Sequence, residues 1–324
     1  MNDAQTPDLS VILVTPDSYA TVRTTIRYLL RQQARDRMEL VLITPREQDL
    51  RPDAEELSGF LSYQVVEVGR IQSIAYANSA GVRRARAPIV VLAEDHAFPA
   101  PGWAEALLKA HQGEWAAVGP VVRNANPRSI VSWADLLIAY APWLYPGRAG
   151  RPDHLPGHNS SYKKDILLAY GPDLEAMLEA ESVLHWDLRQ KGYQLHLEPA
   201  AQVAHLNFGR LSSWLQAQFY SGRVFAASRG RSWNAGRRVL YALASPLIPF
   251  VRMNRIVEQT RESGSWSRVP NGVLPMLLLG LFVSALGELT GYCAGPGQAR
   301  PKLAEFEFHR VRHLGVYDPR DQPV

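Results

Sequence analysis

Cysteine is almost absent from this 324-residue chain, where Cys293 stands alone. One thiol excludes an intramolecular disulfide and every zinc site built from several cysteines. Lysine is nearly as scarce. Only Lys109, Lys163, Lys164, Lys191 and Lys302 occur, and the rest of the 35 basic residues are arginine. Arginine grips phosphate through a planar fork, so phosphate-bearing ligands or acidic lipids become plausible partners. An arginine-rich genome would leave the same mark. The opening stretch, MNDAQTPDLS, lacks the basic start and apolar core of a signal peptide, so a cytoplasmic location is expected for the bulk of the chain. There is no internal repeat and no low-complexity tract, and no nucleic-acid partner is expected.

What is present is an ordinary globular composition, 46% hydrophobic, with a formal net charge of +4. Strand and helix signals alternate through the first two thirds. LSVILVTP (9–16), MELVLITP (38–45), YQVVEVG (63–69) and PIVVLA (88–93) read as strands. YATVRTTIRYLLRQQ (19–33) places Val22, Ile26, Leu29 and Leu30 on one helical face, and IQSIAYANSAGVRRA (71–85) reads as a helix with small residues for close packing. This alternation predicts an α/β domain around a largely parallel sheet. A Pro-, Gly- and aromatic-rich stretch (140–162) predicts a long ordered loop, a kind that is often functional. Helical stretches follow, and then YQLHLEP and AQVAHL read as two short strands.

Composition shifts again near Arg223. Two apolar runs, 239–251 and 273–287, are bordered by arginines. The first is too short to span a bilayer and the second is borderline, with Glu288 expected to close it. If the second run alone crossed, the basic tail after it would lie on the wrong side. The runs therefore read as interfacial or re-entrant helices meeting anionic headgroups, or else as a soluble hairpin. A boundary is expected between residues 1–232 and a C-terminal helical region, 233–324.

The strand PIVVLA ends in Glu94, Asp95 and His96. In parallel sheets, ligands bind beyond the carboxyl ends of the strands. Adjacent carboxylates and an imidazole suit a divalent cation, Mn²⁺ or Mg²⁺, whose natural partner is a diphosphate. From three residues alone, a solvated acidic turn explains the same stretch.

The surrounding pattern carries more. AYANSAGVRRARAPIVVLAEDHAFPAPGW is similar to the segment ARNxGxxxAxGxxIxFLDxDxxPxPxW of the family 2 glycosyltransferases, inverting enzymes of the GT-A fold, with Asn78, Gly81, Pro88, Pro99, Pro101 and Trp103 in register. The resemblance covers roughly residues 9 to 230. It implies a Rossmann-like, mostly parallel sheet flanked by helices, followed here by C-terminal apolar helices. It also implies that Glu94, Asp95 and His96 occupy the metal-binding acidic motif, with Asn78 and Asp95 toward the donor. Downstream, AESVLHWDLRQKGYQLHLEPAAQVAH resembles the family's LxxRLxxxGYxxxxxPxxxxxH, matching at Leu188, Gly192, Tyr193, Pro199 and His205. Glu181 then falls on the catalytic base, with Ala180 in place of the first acid and Glu179 as the alternative base. His205 could reach the metal or the diphosphate, or could be structural. GHNSSYKKD (157–165) resembles the family's GxNxAYRRDxL, so Asn159 and Ser160 could contact sugar or diphosphate, or simply cap the loop. His154 and His158 span a Pro-Gly turn, and their spacing does not argue for zinc.

One departure stands out. The family's acidic turn after the second strand is missing; the strand here ends LITPREQD, so either base and ribose are held otherwise, with Glu47 a candidate, or the donor nucleotide is unusual. The expected activity is a metal-dependent, inverting transfer from a nucleotide-diphosphate sugar to a saccharide or lipid-linked acceptor at the cytoplasmic face of a membrane. The rival is a degenerate transferase fold acting as a scaffold or sugar-binding protein.

Overall fold

A computed structural model describes residues 6–315. Residues 1–5, part of the opening read for a leader, and residues 316–324 of the expected C-terminal region lie outside the described residues. Among the described residues there are eight strands: β1 (Leu9–Val14), β2 (Met38–Thr44), β3 (Ser62–Glu67), β4 (Ile89–Ala93), β5 (Ala97–Pro99), β6 (Ala117–Asn124), β7 (Ser161–Lys163) and β8 (Leu195–His205). The helices before the loop are α1 (Tyr19–Leu29), the single turns α2 (Glu47–Leu50) and α3 (Ala54–Leu57), α4 (Ile74–Arg84), α5 (Trp103–Ala110) and α6 (Ile130–Tyr140). Those after it are α7 (Lys164–Leu168), α8 (Leu174–Leu178), α9 (Glu181–Gln190), α10 (Leu211–Arg229), α11 (Ala235–Ala244), α12 (Ile248–Glu262), α13 (Val273–Ala294) and α14 (Ala299–Glu307).

The chain divides into two compact units. The first comprises residues up to Val121 together with Arg148–Ala204, and it holds nearly all of the sheet. The strand order is β3-β2-β1-β4-β7-β6-β8-β5. β3, β2, β1 and β4 run parallel, while β7 runs antiparallel to β4 and to β6. Every residue of β1, β2 and β4 is buried, the pattern of strands covered on both faces. Gly81 of α4 packs directly on β1; a Cβ there would fall 2.5 Å from Ile12 Cγ2. Even the one acid inside β2 is accommodated. Burial alone would raise the Glu39 carboxyl, but hydrogen bonds from Ser10 Oγ and from the Arg86 backbone and guanidinium outweigh it, and the carboxyl titrates below its ordinary value. β8 is one continuous strand where two were expected. Pro199 ends nothing, because its fixed φ suits extended chain.

The second unit comprises Val122–Gly147 and the chain from His205 onward, and it is mainly helical. Its spine is the pair α10 and α13. Glycines bring their backbones together: a Cβ on Gly222 would lie 2.2 Å from Ser284 O, and one on Gly287 would lie 2.1 Å from Phe219 O. Glu288 does not close the apolar helix as expected. It is buried on α13 with Arg252 NH1 3.8 Å away, so the helix runs on through it to Ala294. A buried carboxylate with a cation opposite need not break a helix, and burial pushes its own pKa up.

Two buried histidines of the first unit bear on its stability in acid. Burial, with the Lys163 charge adding to it, depresses His111 to about 4. Burial, with His154 adding to it, depresses His185 to about 3. His185 Nδ1 accepts from Leu155 N and its Nε2–H meets Tyr162 Oη, fastening the long loop to β7. Both histidines have folded pKa values below the ordinary 6.5, so the unfolded chain binds protons that the native chain refuses. Their contribution is complete above about pH 6.5 and is lost as pH falls. Denaturant midpoints should therefore decline between about pH 6.5 and 5, above the carboxylate range, and the slope should flatten in His185→Gln. An unchanged slope in that variant would remove His185 as its source.

Candidate functional site

The parallel register aligns the carboxyl ends of β1, β2 and β4 along one edge of the sheet, with Leu13 opposite both Leu42 and Ala93. The chain leaves β4 at Glu94 and re-enters an extended course at β5. Between them Glu94, Asp95 and His96 form a tight turn. Thr25 of α1 holds its backbone, the hydroxyl donating to Asp95 O at 2.8 Å. Glu94 and His96 are both buried.

His96 Nδ1 lies 2.6 Å from Asp95 Oδ1. A carboxylate only accepts, so Nδ1 carries the proton and the Nε2 lone pair faces the other way. Nε2 is 3.7 Å from Glu94 Oε1. A carboxylate that orients a histidine through its far nitrogen is the usual arrangement behind a metal-binding imidazole. A carboxylate oxygen and an imidazole nitrogen at this spacing are a donor set that suits Mn²⁺.

The long loop returns to this turn. Asn159 takes a left-handed conformation (φ 62°), which asparagine tolerates better than most side chains. Its backbone N–H donates to Leu92 O at 2.7 Å and its Nδ2 donates to Glu94 Oε2 at 3.0 Å. Ser160, fully buried, donates its hydroxyl to Pro156 O at 2.6 Å within the loop. His158 stands between two acids: Nδ1 is 3.7 Å from Glu94 Oε1 and Nε2 is 3.5 Å from Glu181 Oε1. Glu181 opens α9, where the helix dipole favours an anion. Its carboxylate lies against the bare Cα of Gly157. Glu179 closes α8, two residues before.

Elsewhere in the first unit, Asn78 sits buried on α4 with an Oδ1 that accepts no hydrogen bond. Such an orphan costs about 1–3 kcal/mol unless something supplies a donor. Beyond the ends of β2 and β3 an open groove of about 490 Å³ is lined by Arg46, Glu47, Gln48 and Glu67. Glu47 N donates to Glu67 Oε2 at 2.9 Å there.

His205, the last residue of β8, belongs to the second unit. Its tautomer is set by neighbours in that unit. Asn124 Oδ1 accepts from Asn126 N and from Asn207 Nδ2, so the Asn207 carboxamide turns its oxygen to His205 Nδ1 at 2.8 Å. Nδ1 must therefore carry the proton and Nε2 the lone pair.

Sequence reasoning singled out Glu94, Asp95, His96, Asn159 and Glu181 separately, and the structure gathers them. It named His158 but gave it no role, because its Pro-Gly neighbourhood offers no periodicity to read. The only signal was its place between Gly157 and Asn159.

No protein-family model matches the chain, and no curated protein matches it. Solved structures do. The mannosyltransferase PcManGT from Pyrobaculum calidifontis, in complex with GDP-Man and Mn²⁺, superposes with a TM-score of 0.57 at 16% identity, over 88% of this chain and 87% of that one. GalNAc-T7 with UDP, GalNAc and Mn²⁺ gives a TM-score of 0.48 at 15% identity, over 63% of this chain, which spans 44% of that one. The chain has the GT-A fold expected of it, a mixed α/β sheet flanked by helices.

The contact of Gly157 with Glu181 is directly testable. A Cβ at 157 would fall 2.6 Å from Glu181 Oε2, the far end of a flexible side chain. Gly157→Ala should leave the melting temperature nearly unchanged while a crystal structure shows the carboxylate displaced from His158. A carboxylate that stays in place would mean that the loop yields instead.

Proposed function

We propose that the chain is a metal-dependent, inverting glycosyltransferase of the family 2 type, moving a sugar from a nucleotide-diphosphate donor to an acceptor hydroxyl. One observation carries the reading: the buried acid-imidazole turn at the end of β4 is joined, through Asn159 and His158, to Glu181. The GT-A fold, shared with a mannosyltransferase in complex with GDP-Man and Mn²⁺, supports it.

Glu94 Oε1 and His96 Nε2 would hold Mn²⁺ or Mg²⁺, with Asp95 acting mainly by fixing the His96 tautomer. His205 is retained as a further ligand on the strength of the sequence pattern and its own fixed tautomer. When bound, such an ion offsets charge on the departing diphosphate. Asn159 orients Glu94, and Asn78 Oδ1 would accept a donor from the nucleotide sugar. The groove at Glu47 would take base and ribose in place of the missing acidic turn. Glu181 would remove the acceptor's hydroxyl proton. The oxygen then bonds to the anomeric carbon from the face opposite the leaving group, and the bond to the β-phosphate oxygen breaks with its electrons. His158, 3.5 Å from Glu181 Oε1, would keep that carboxylate aimed. The acceptor class is a saccharide or a lipid-linked hydroxyl of cell-envelope, polysaccharide or glycolipid synthesis.

A scaffold or sugar-binding role is the second reading. The turn after β2 favours it: Arg46 there is tied to Asp49 at 2.7 Å where the related enzymes have acids.

Two experiments separate these readings. UDP- or GDP-type nucleotides should raise the melting temperature with Mn²⁺ present, and EDTA or His96→Ala should remove the shift while the fold survives. Equal nucleotide binding in excess EDTA would refute the metal assignment. With donor affinity nearly unchanged, Glu181→Gln should lower transfer by about 10²-fold or more, and Glu179→Gln should do little. The reverse ranking would move the base to Glu179. The absence of any transfer or donor hydrolysis by the wild type across a nucleotide-sugar panel would favour the scaffold.

A further inference from the structure

The second unit displays an apolar face that its own core does not use. Val239, Leu240, Leu243, Leu247, Phe250 and Val251 are each more than half exposed, Leu243 at 75%. Their spacing of three and four residues makes them one row along α11, the short 3₁₀ turn that holds Leu247, and the start of α12. Phe250 meets Phe282 of α13 edge to face, with ring centroids 5.6 Å apart, and so extends the row onto the outer side of α13 where Leu286 is also exposed. Scattered exposed leucines need no explanation, but a contiguous row marks an interaction surface.

Charge says what kind. Between Glu198 and Glu258 the sequence has no acidic residue and eight arginines. Arg231, Arg237 and Arg255 among them are exposed around the apolar row. At the head of α11, Trp233 stacks on Tyr292 and meets Tyr241 at a tilt, and Arg237 lies 4.1 Å over the Trp233 ring. Apolar residues flanked by arginine and by Trp and Tyr are the composition of a membrane interface.

Packing says how it lies. α13 is long and apolar enough to cross a bilayer, with mean hydropathy 1.9, yet 44% of that stretch is buried. The burial is committed: Gly280 receives the Trp214 ring, and Gly287 and Gly291 receive backbone oxygens of α10. A helix so engaged on one side offers only its other side to lipid.

We infer that this face docks onto an anionic phospholipid surface, with α11 and α12 lying in the plane of the interface and no segment crossing it. The acidic cytoplasmic leaflet is the surface such a face selects. The inference is independent of the transferase reading. The full chain should sediment with vesicles containing about one third phosphatidylglycerol, and much less with pure phosphatidylcholine. High salt added after binding should release only part of it, because apolar burial is not screened. The double variant Leu243→Glu, Phe250→Glu changes only exposed side chains; it should keep its melting temperature and lose vesicle binding by about tenfold or more. Equal sedimentation of wild type and variant would overturn the inference, as would equal binding to both vesicle types. So would light scattering that shows a lipid-free dimer made monomeric by the variant, which would make a second copy of the chain the occupant.

Discussion

The grip of Asn159 on the end of β4 organises the site. One residue in a left-handed conformation donates its main-chain N–H to Leu92 O and its side-chain amide to Glu94 Oε2. The first bond fixes where the loop lies and the second fixes how the buried carboxylate points. Both act on the same two turns of chain, so loop and acid cannot shift independently. His158 and Gly157 inherit their positions from this grip, and through them Glu181 is placed. Ser160 tightens the same loop from inside by bonding to Pro156 O.

Much of this was legible in the sequence where local rules apply. The continuous apolar runs that became β1, β2 and β4 need burial on both faces, and they lie centrally in the sheet. An acid cluster at the end of such a run comes out at the carboxyl edge of the sheet, so the place of Glu94 and His96 was readable from position. What escaped depended on distant partners. Glu288 looked like a helix end because its partner Arg252 sits on a different helix. Pro199 looked like a strand end because proline usually is one, whereas its geometry here suits the extended course of β8. The role of His158 escaped because a loop's return path follows from no periodicity.

α13 shows how one helix can serve two environments. Its glycines give up side-chain volume so that α10 can come within backbone contact, while Leu274, Leu279, Phe282, Leu286 and Leu289 remain outside. The tight face replaces side-chain interdigitation by direct contact of main chains, which leaves little freedom to rotate or slide. The helix is thus a fixed plate on which the outward side chains keep their spacing. Its buried Glu288, with Arg252 of α12 3.8 Å away, adds a polar pin at one depth, and a helix pinned at one depth has one register.

The hydrogen-bonded group around His205 is built from Asn124, Asn126, Ser132 and Asn207, none of which carries charge. His96, by contrast, leans on a carboxylate, that of Asp95. A carboxylate brings a formal charge into the contact. A carboxamide relay brings none. The two imidazoles are therefore oriented by devices of different kinds. One is held by an acid next to it in the chain, the other by a ring of neutral amides gathered from separate segments.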